Sequence, residues 1–425
     1  MSYIVGIRGD KMSEIDMQQI AIERIKAGGN FFLGGKGGVG KSWVIDQVTD
    51  NRTVKCAPTG AAAINIGGIT CHSLFGLPLS LPEEEDKYTI SKRLKSTIKE
   101  GGITRIILDE VSILRADHLD LIDSKLKVLM CNKKPFGGIQ IVLVGDFYQI
   151  EPIVHWTEEY HYYERYESGF CFTAKSWNFD CLELTKSYRN IDKNQLSVLE
   201  SIRTKDKWHE KAVNWINKVA KPYVVKDSNL HLCCFNRDAD ALNSIMYKVI
   251  KAPETKYKSY ITDQFDGAKP VKDIVKLKVG CRVLIKANDA EAGHVNGDRG
   301  CVTELGDKYV RVLIDRTSQE VIVSYSRWEQ FDYKVSKDGL QKVVKGVYNQ
   351  MPISLGYAIS IHNSQGSTLE DVAIDFGTGC FTHGQAYVAL SRVKDLKNIS
   401  LVNELDYDSI ICDTLVQQFY EGVDK

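Results

Sequence analysis

Residues 35 to 42 read GKGGVGKS, and this run has the spacing GxxxxGK[ST]. Glycine costs conformational entropy in regular structure, so a cluster of it marks a place where backbone amides press against something. In this pattern the N–H groups of Gly35, Lys36, Gly37, Gly38, Val39 and Gly40 wrap phosphate, Lys41 reaches the β and γ oxygens, and the Ser42 hydroxyl ligates Mg²⁺. A flexible turn is the bland alternative. The full spacing between the strand-like NFFLG and the helix-like SWVIDQVTD outweighs it. The apolar run IIL ends at Asp109 and Glu110, an acidic pair suited to holding Mg²⁺ through water and to orienting or deprotonating an attacking water. Taken alone such a pair is as well read as a helix cap. Gln149, in VLVGDFYQIEP, follows a further apolar run and could sense a γ-phosphate, with a turn as the equal alternative. Phosphoryl transfer also needs positive charge where negative charge develops. Arg189 in LTKSYRN and Arg392 in YVALSRVKD are candidates, although an arginine picked blind is more often a surface ion pair.

These residues need a scaffold that brings distant segments together. NFFLGG, TVKCAPT, TRIILDE, GIQIVLVGD, CLELT and LHLCCFN are short apolar runs with few polar interruptions, bounded by Gly, Pro, Asp or Thr. Strands of a parallel sheet covered on both faces have this texture, and several runs end at the residues named above, as ligand-binding α/β sheets require. SEIDMQQIAIERIKAGG predicts a helix from residue 13 to the glycine pair Gly28 and Gly29. The charged segment at 81 to 102 breaks the βα rhythm and reads as a small insertion. After about residue 258, alternating strands with Gly turns predict a small β-barrel or SH3-like module, and α/β texture returns at GYAISIH.

With 425 residues the chain exceeds one comfortable core and is expected to form two or three domains. Its 43% hydrophobic and 26% charged residues are ordinary for a folded soluble protein. A formal net charge of +0 means that a polyanion must be met by a local groove. The eleven cysteines are scattered and include adjacent Cys233 and Cys234, which suits reduced, mostly buried thiols. The acidic N-terminus is no signal peptide, and no apolar run reaches the roughly 18 residues of a membrane span. An intracellular, soluble protein is expected, with no membrane partner.

Read in order, GGKGGVGKS, APTGAAAINIGGITCHSLFGL, LDEVSIL, PFGGIQIVLVGDFYQIEP, LTKSYRN, VNGDRG, AISIHNSQGSTLEDVAIDFG and GQAYVALSR resemble the ordered motifs of superfamily 1B DNA helicases of the Pif1-like group. The resemblance runs from Gln18 to Leu401. RADHLDLIDSKLKVLMCNKKPFGG resembles the signature that separates this group from RecD-like and Dda-like relatives. The resemblance implies two RecA-like P-loop domains: 1–180, with a small inserted 1B element near 76–103, and 181–258 with 350–425. A 2B SH3-like module at 259–349 is inserted in the second. It implies ATP and Mg²⁺, with ATP between the lobes. Gln18 falls on the adenine-reading glutamine. Lys41, Ser42, Asp109, Glu110 and Gln149 fall on nucleotide and Mg²⁺ positions. Arg189 and Arg392 fall on the second-domain arginines, and Gly366 lies in a motif coupling nucleotide state to DNA.

For single-stranded DNA, Pro58, Thr59, His72, Ser73 and Phe75 resemble first-lobe contacts, and His362, Asn363 and Ser364 second-lobe contacts. Phe75, Phe147 and Tyr148 are candidates for stacking on bases, although each taken singly is more often core. The implied partners are single-stranded DNA and its junctions with duplex, together with single-strand-binding or replisome proteins, for a protein acting as a monomer. The implied activity is 5′ to 3′ translocation and unwinding in replication, repair or recombination. Another kind of P-loop ATPase and a DNA-binding translocase that does not unwind are the alternatives; the SQGST and ALSR blocks weigh against the first. Lys36 departs from the resemblance, standing where a small residue is common.

Overall fold

The computed structural model describes residues 16–78, 80–188, 192–224, 230–263, 265, 269–289, 291–336, 339–366, 369 and 371–424. Helix α1 (Met17–Ala27) starts where the Asp16 carboxylate accepts from the Gln18 N–H and stops at Gly28, whose φ is 97°. The apolar runs then become strands: β1 (Phe31–Gly34), β2 (Thr53–Ala57), β3 (Ile69–Thr70), β4 (Arg105–Leu108), β5 (Gln140–Gly145) and β6 (Asp180–Glu183). Among the described residues they form one parallel sheet in the order β3-β2-β4-β5-β1-β6. Both faces are covered, and β1 is buried along its whole length, which explains its unbroken apolar sequence. Helix α2 (Lys41–Val48) follows β1 and buries Val44, Ile45 and Val48.

Among the described residues the second lobe is built on a five-stranded parallel sheet in the order Ala358–Ser360, His231–Cys233, Val372–Asp375, Ile399–Leu401 and Lys221–Pro222. Two elements overturn the expected boundaries. CLELT, expected to open the second domain, is the edge strand β6 of the first sheet, paired with β1. The C-terminal helix Thr414–Glu421, expected in the second domain, returns to the first: Val416 and Tyr420 join its core, and the Glu183 N–H donates to the Asp424 carbonyl at 2.7 Å. Its apolar face is buried against the aromatics behind β1, where Phe419 packs on Phe147 and Phe172.

Strands inserted in the second lobe run from Thr255–Lys258 to Ile353–Leu355. Among the described residues five form an antiparallel sheet around a core containing Val283, Val302, Val312 and Ile353, which matches the alternating texture of this stretch. A long hairpin, Ser326–Ser336 with Gly339–Gln350, leaves this module, and Trp328 on it packs near Ile64 of the first lobe. The 81–102 stretch holds the short helical turns Glu84–Lys87, Lys92–Leu94 and Lys95–Glu100. It is pinned by Lys125, whose buried ammonium donates to the Thr89 carbonyl at 2.9 Å. Among the described residues no helix is long and apolar enough to cross a membrane.

Candidate nucleotide cleft and strand-binding edge

The sheet order places the chemistry. β5 lies between β4 and β1, so the loops leaving the carboxyl ends of β1, β4 and β5 are neighbours. The loop after β1 is made possible by its glycines. A Cβ on Gly35, with φ 139°, would lie 2.6 Å from the Leu184 carbonyl oxygen, and one on Gly40, with φ 90°, would lie 1.9 Å from Gln18 Nε2. Gln18 donates to the Val39 carbonyl at 3.0 Å, so α1 presents this side chain to the loop. Lys41 opens α2, and its ammonium donates to the carbonyls of Gly35 and Lys36. Gly40 provides no side-chain cap, which leaves the first N–H groups of α2 for an anion. Ser42 is exposed beside them.

Asp109 and Glu110 follow β4. The Glu110 N–H donates to Asp109 Oδ1 at 2.8 Å, and Glu110 has a φ of 53°. A residue with a side chain pays of order 1–3 kcal/mol for that conformation, a cost typical of functional sites. Burial pushes both carboxyls above their ordinary range, and the Asp109 charge adds to the rise at Glu110; Lys41 opposes both. One carboxylate and one hydroxyl are hard oxygen donors, the sparse protein set with which Mg²⁺ is bound alongside substrate phosphates. Among the described residues no cluster of three His, Cys, Asp or Glu could replace that arrangement. Ser42 and Asp109 therefore fit the ion.

The second lobe closes over this edge. A Cβ on Gly366 would lie 4.0 Å from Glu110 Oε1. Gln365 Nε2 donates to Gln149 Oε1 at 3.0 Å and to Ser112 Oγ at 3.3 Å, linking the lobes across the site. Arg392 is 6% exposed and lines one cavity with Lys36, Gly37, Glu200, Tyr387 and Ser391. Its Nε donates to Val388 O and its Nη2 to Ser391 Oγ, contacts that aim the group from the end of Gln385–Leu390. Arg189 lies outside the described residues. Arg203, unmarked by any motif, is buried between the lobes and donates to Asp146 at 2.8 Å, Glu183 at 2.6 Å and Glu200 at 2.8 Å. Gln365 stood inside the quoted SQGST block, so its type and place could have singled it out. Nothing local marks Arg203.

The strand-binding candidates divide. Thr59 is exposed after β2, its hydroxyl accepting from the Ala62 N–H, with half-buried Pro58 beside it. His72 is half-buried and meets His118 edge to face at 5.1 Å; burial and Arg115 disfavour its charged form. Ser73 accepts from Arg93 of the inserted turns. Asn363 is exposed and donates to Asn236 at 3.0 Å, while His362 stacks on Phe381. Four expectations fail. Phe75 and Phe147 are fully buried, the latter stacked on Phe32 at 4.8 Å; Tyr148 is stacked on Tyr420 at 4.7 Å beneath Arg203. None has a ring face for a base. Ser364 is buried, and its hydroxyl donates to Ile361 O at 2.7 Å, so its side chain serves the turn instead of a strand. Beside His362, the Phe381 ring is 52% exposed and stacked on Phe235 at 4.6 Å.

A family model described as PIF1-like helicase matches residues 14–228. The chain is 31% identical to mouse ATP-dependent DNA helicase PIF1, over 96% of this chain and 62% of the relative, so it spans less than two thirds of that protein. It is 30% identical to ATP-dependent DNA helicase Pif1 of Bdellovibrio bacteriovorus, over 95% of this chain and 91% of the relative. The crystal structure of Bacteroides sp. Pif1 in complex with ADP-AlF4 superposes with a TM-score of 0.85 at 30% identity over 97% of both chains. The same relative bound to ssDNA gives 0.69 at the same identity and coverage. The motifs in their order, the paired parallel-sheet lobes and these likenesses together place the chain in the PIF1-like helicase family.

Proposed function

We propose that this chain is an ATP- and Mg²⁺-dependent DNA helicase that moves 5′ to 3′ along single-stranded DNA and opens duplex at its junctions, acting as a monomer. The reading rests on one observation above the others: the phosphate loop, the acidic pair and Gln149 of one lobe face Gln365, Gly366 and Arg392 of the other. Hydrolysis in such a cleft is bound to the spacing of the lobes, and lobe spacing moves the strand contacts. Bacteroides Pif1 has been crystallised in complex with ADP-AlF4 and bound to ssDNA, which supports both ligands for this chain.

In this reading the loop amides and Lys41 hold the triphosphate, and Ser42 and Asp109 hold Mg²⁺, which when bound neutralises phosphate charge. Glu110, with its raised proton affinity, accepts a proton from the attacking water. Arg392, with Arg189 as the second arginine, offsets the charge that develops. Thr59, His72, His362 and Asn363 hold the strand by sugar and phosphate contacts that carry no sequence information.

Unwinding of 5′-tailed, 3′-tailed and quadruplex substrates tests this directly. Opening of the 5′-tailed duplex and strong stimulation of ATPase by single-stranded DNA are expected. Activity on the 3′-tailed duplex alone would overturn the polarity, and an ATPase indifferent to DNA would overturn the function. Gln365→Ala removes the link to Gln149, so stimulation by DNA is expected to fall about tenfold with basal turnover less affected. Equal losses of both would show that Gln365 is merely structural.

A further inference from the structure

Lys36 is the loop residue whose role the general reading leaves open. Its side chain leaves the phosphate loop and crosses to the second lobe, where Nζ meets Glu200 Oε2 at 2.7 Å. Its main chain turns the other way: the Lys36 carbonyl accepts from Lys41 Nζ at 3.1 Å. One residue thus joins the lysine at the phosphates to the opposite lobe. Glu200 lies on the helix Lys193–Thr204, which packs against Gln385–Leu390, the helix leading to Arg392. Burial opposes the Glu200 charge, yet Arg203 and Lys36 together hold its carboxyl below the ordinary range. Its second oxygen accepts from Arg203, which in turn grips Asp146 and Glu183 of the first lobe. Lys36, Glu200 and Arg392 line the same cavity.

We propose that Lys36 is a positioning residue, whose ion pair with Glu200 latches the phosphate loop to the second lobe and so sets where Lys41 and Arg392 stand relative to each other. The inference rests on the nucleotide site proposed above. It separates Lys36 from the groups that touch phosphate: the latch governs turnover, and nucleotide affinity belongs to the loop amides and Lys41. Without the pair the lobes still meet through Arg203, so closure persists but loses its register at the phosphate end.

Lys36→Met, Glu200→Gln and the double variant test this, with ATPase measured at saturating single-stranded DNA. Glutamine keeps an oxygen for Arg203. Each single variant is expected to lower kcat about five- to tenfold, with KM for ATP within about twofold. The double variant should lose no more than either single one. Lys36→Arg, which keeps the ion pair, should stay near the parent. In nucleotide-free protein, hydrogen exchange of the Lys193–Thr204 amides should quicken in Lys36→Met. Additive losses, a raised KM with kcat unchanged, or exchange equal to the parent would overturn the latch. Lys41→Ala is the control: if it hydrolyses ATP like the parent, the site reading itself fails and the latch falls with it. If it is inactive while Lys36→Met matches the parent, only the latch is wrong.

Discussion

Lys41→Ala is expected to lower DNA-stimulated ATP hydrolysis by about a thousandfold or more and to abolish unwinding, while the protein melts within about 3 °C of the parent. The two halves of this result have separate causes. In the proposed site Lys41 is the cation that the loop delivers to the phosphates, and the nearby described cations are engaged elsewhere: the Lys36 ammonium is held by Glu200, that of Lys55 by Asp46, and Arg392 approaches from the other lobe. Folding, by contrast, gains little from Lys41. A cation in the first turn of α2 opposes the helix dipole, and its bonds to the Gly35 and Lys36 carbonyls are made at a half-buried rim. Binding of single-stranded DNA should survive, because Thr59, His72, His362 and Asn363 belong to other loops. Paired measurements of ATPase and thermal melting check this, and hydrolysis at the parent rate would remove Lys41 from the site.

How much of this was legible in the sequence follows from the range over which each feature is decided. The phosphate loop is a local device: eight successive residues fix its amides, and glycine is required at Gly35 by the nearby Leu184 carbonyl and at Gly40 by a φ of 90°. The strands were legible for a similar reason, since a run such as IIL or VLVG between turn residues has few other ways to bury itself. The aromatic residues were not. Phe147 follows a catalytic-looking Gly-Asp pair, and its type fits base stacking equally well. Its burial is decided by Phe32, Trp177 and Phe419, which arrive from remote parts of the chain. Domain ends failed likewise: the amphipathic helix Thr414–Glu421 carries no mark of which lobe it covers, and only the aromatic surface behind β1 decides it. Gln365 could be seen as a motif residue, but its pairing with Gln149 needs two loops from two sheets.

Arg203 is the largest residue missed and gives the largest expected effect on stability. Its guanidinium is 3% exposed in its side chain and is shared by Asp146, Glu183 and Glu200, with the Tyr148 ring 4.4 Å beneath it. The pair with Asp146 need not exceed a hydrophobic alternative in strength; what matters is the charge left behind when one partner goes. Arg203→Met strands the wholly buried Asp146 carboxylate and is expected to cost about 3–5 kcal/mol at neutral pH. The pH dependence identifies the cause. Burial raises the Asp146 carboxyl, but Arg203 overcomes it and holds the group below its ordinary range. A carboxyl so depressed contributes stability that is complete above its unfolded pKa and is lost as pH falls through the folded one. Without Arg203 burial is opposed only by the Lys41 charge and the Tyr148 N–H, the neutral form gains, and acid relieves the variant while it weakens the parent. The gap between their denaturation midpoints should therefore narrow as pH falls from 7 toward the carboxylate range, and Asp146→Asn in the Arg203→Met background should recover part of the loss at pH 7. A gap independent of pH would mean that lost packing against Tyr148 and Tyr420, and no stranded charge, carries the effect.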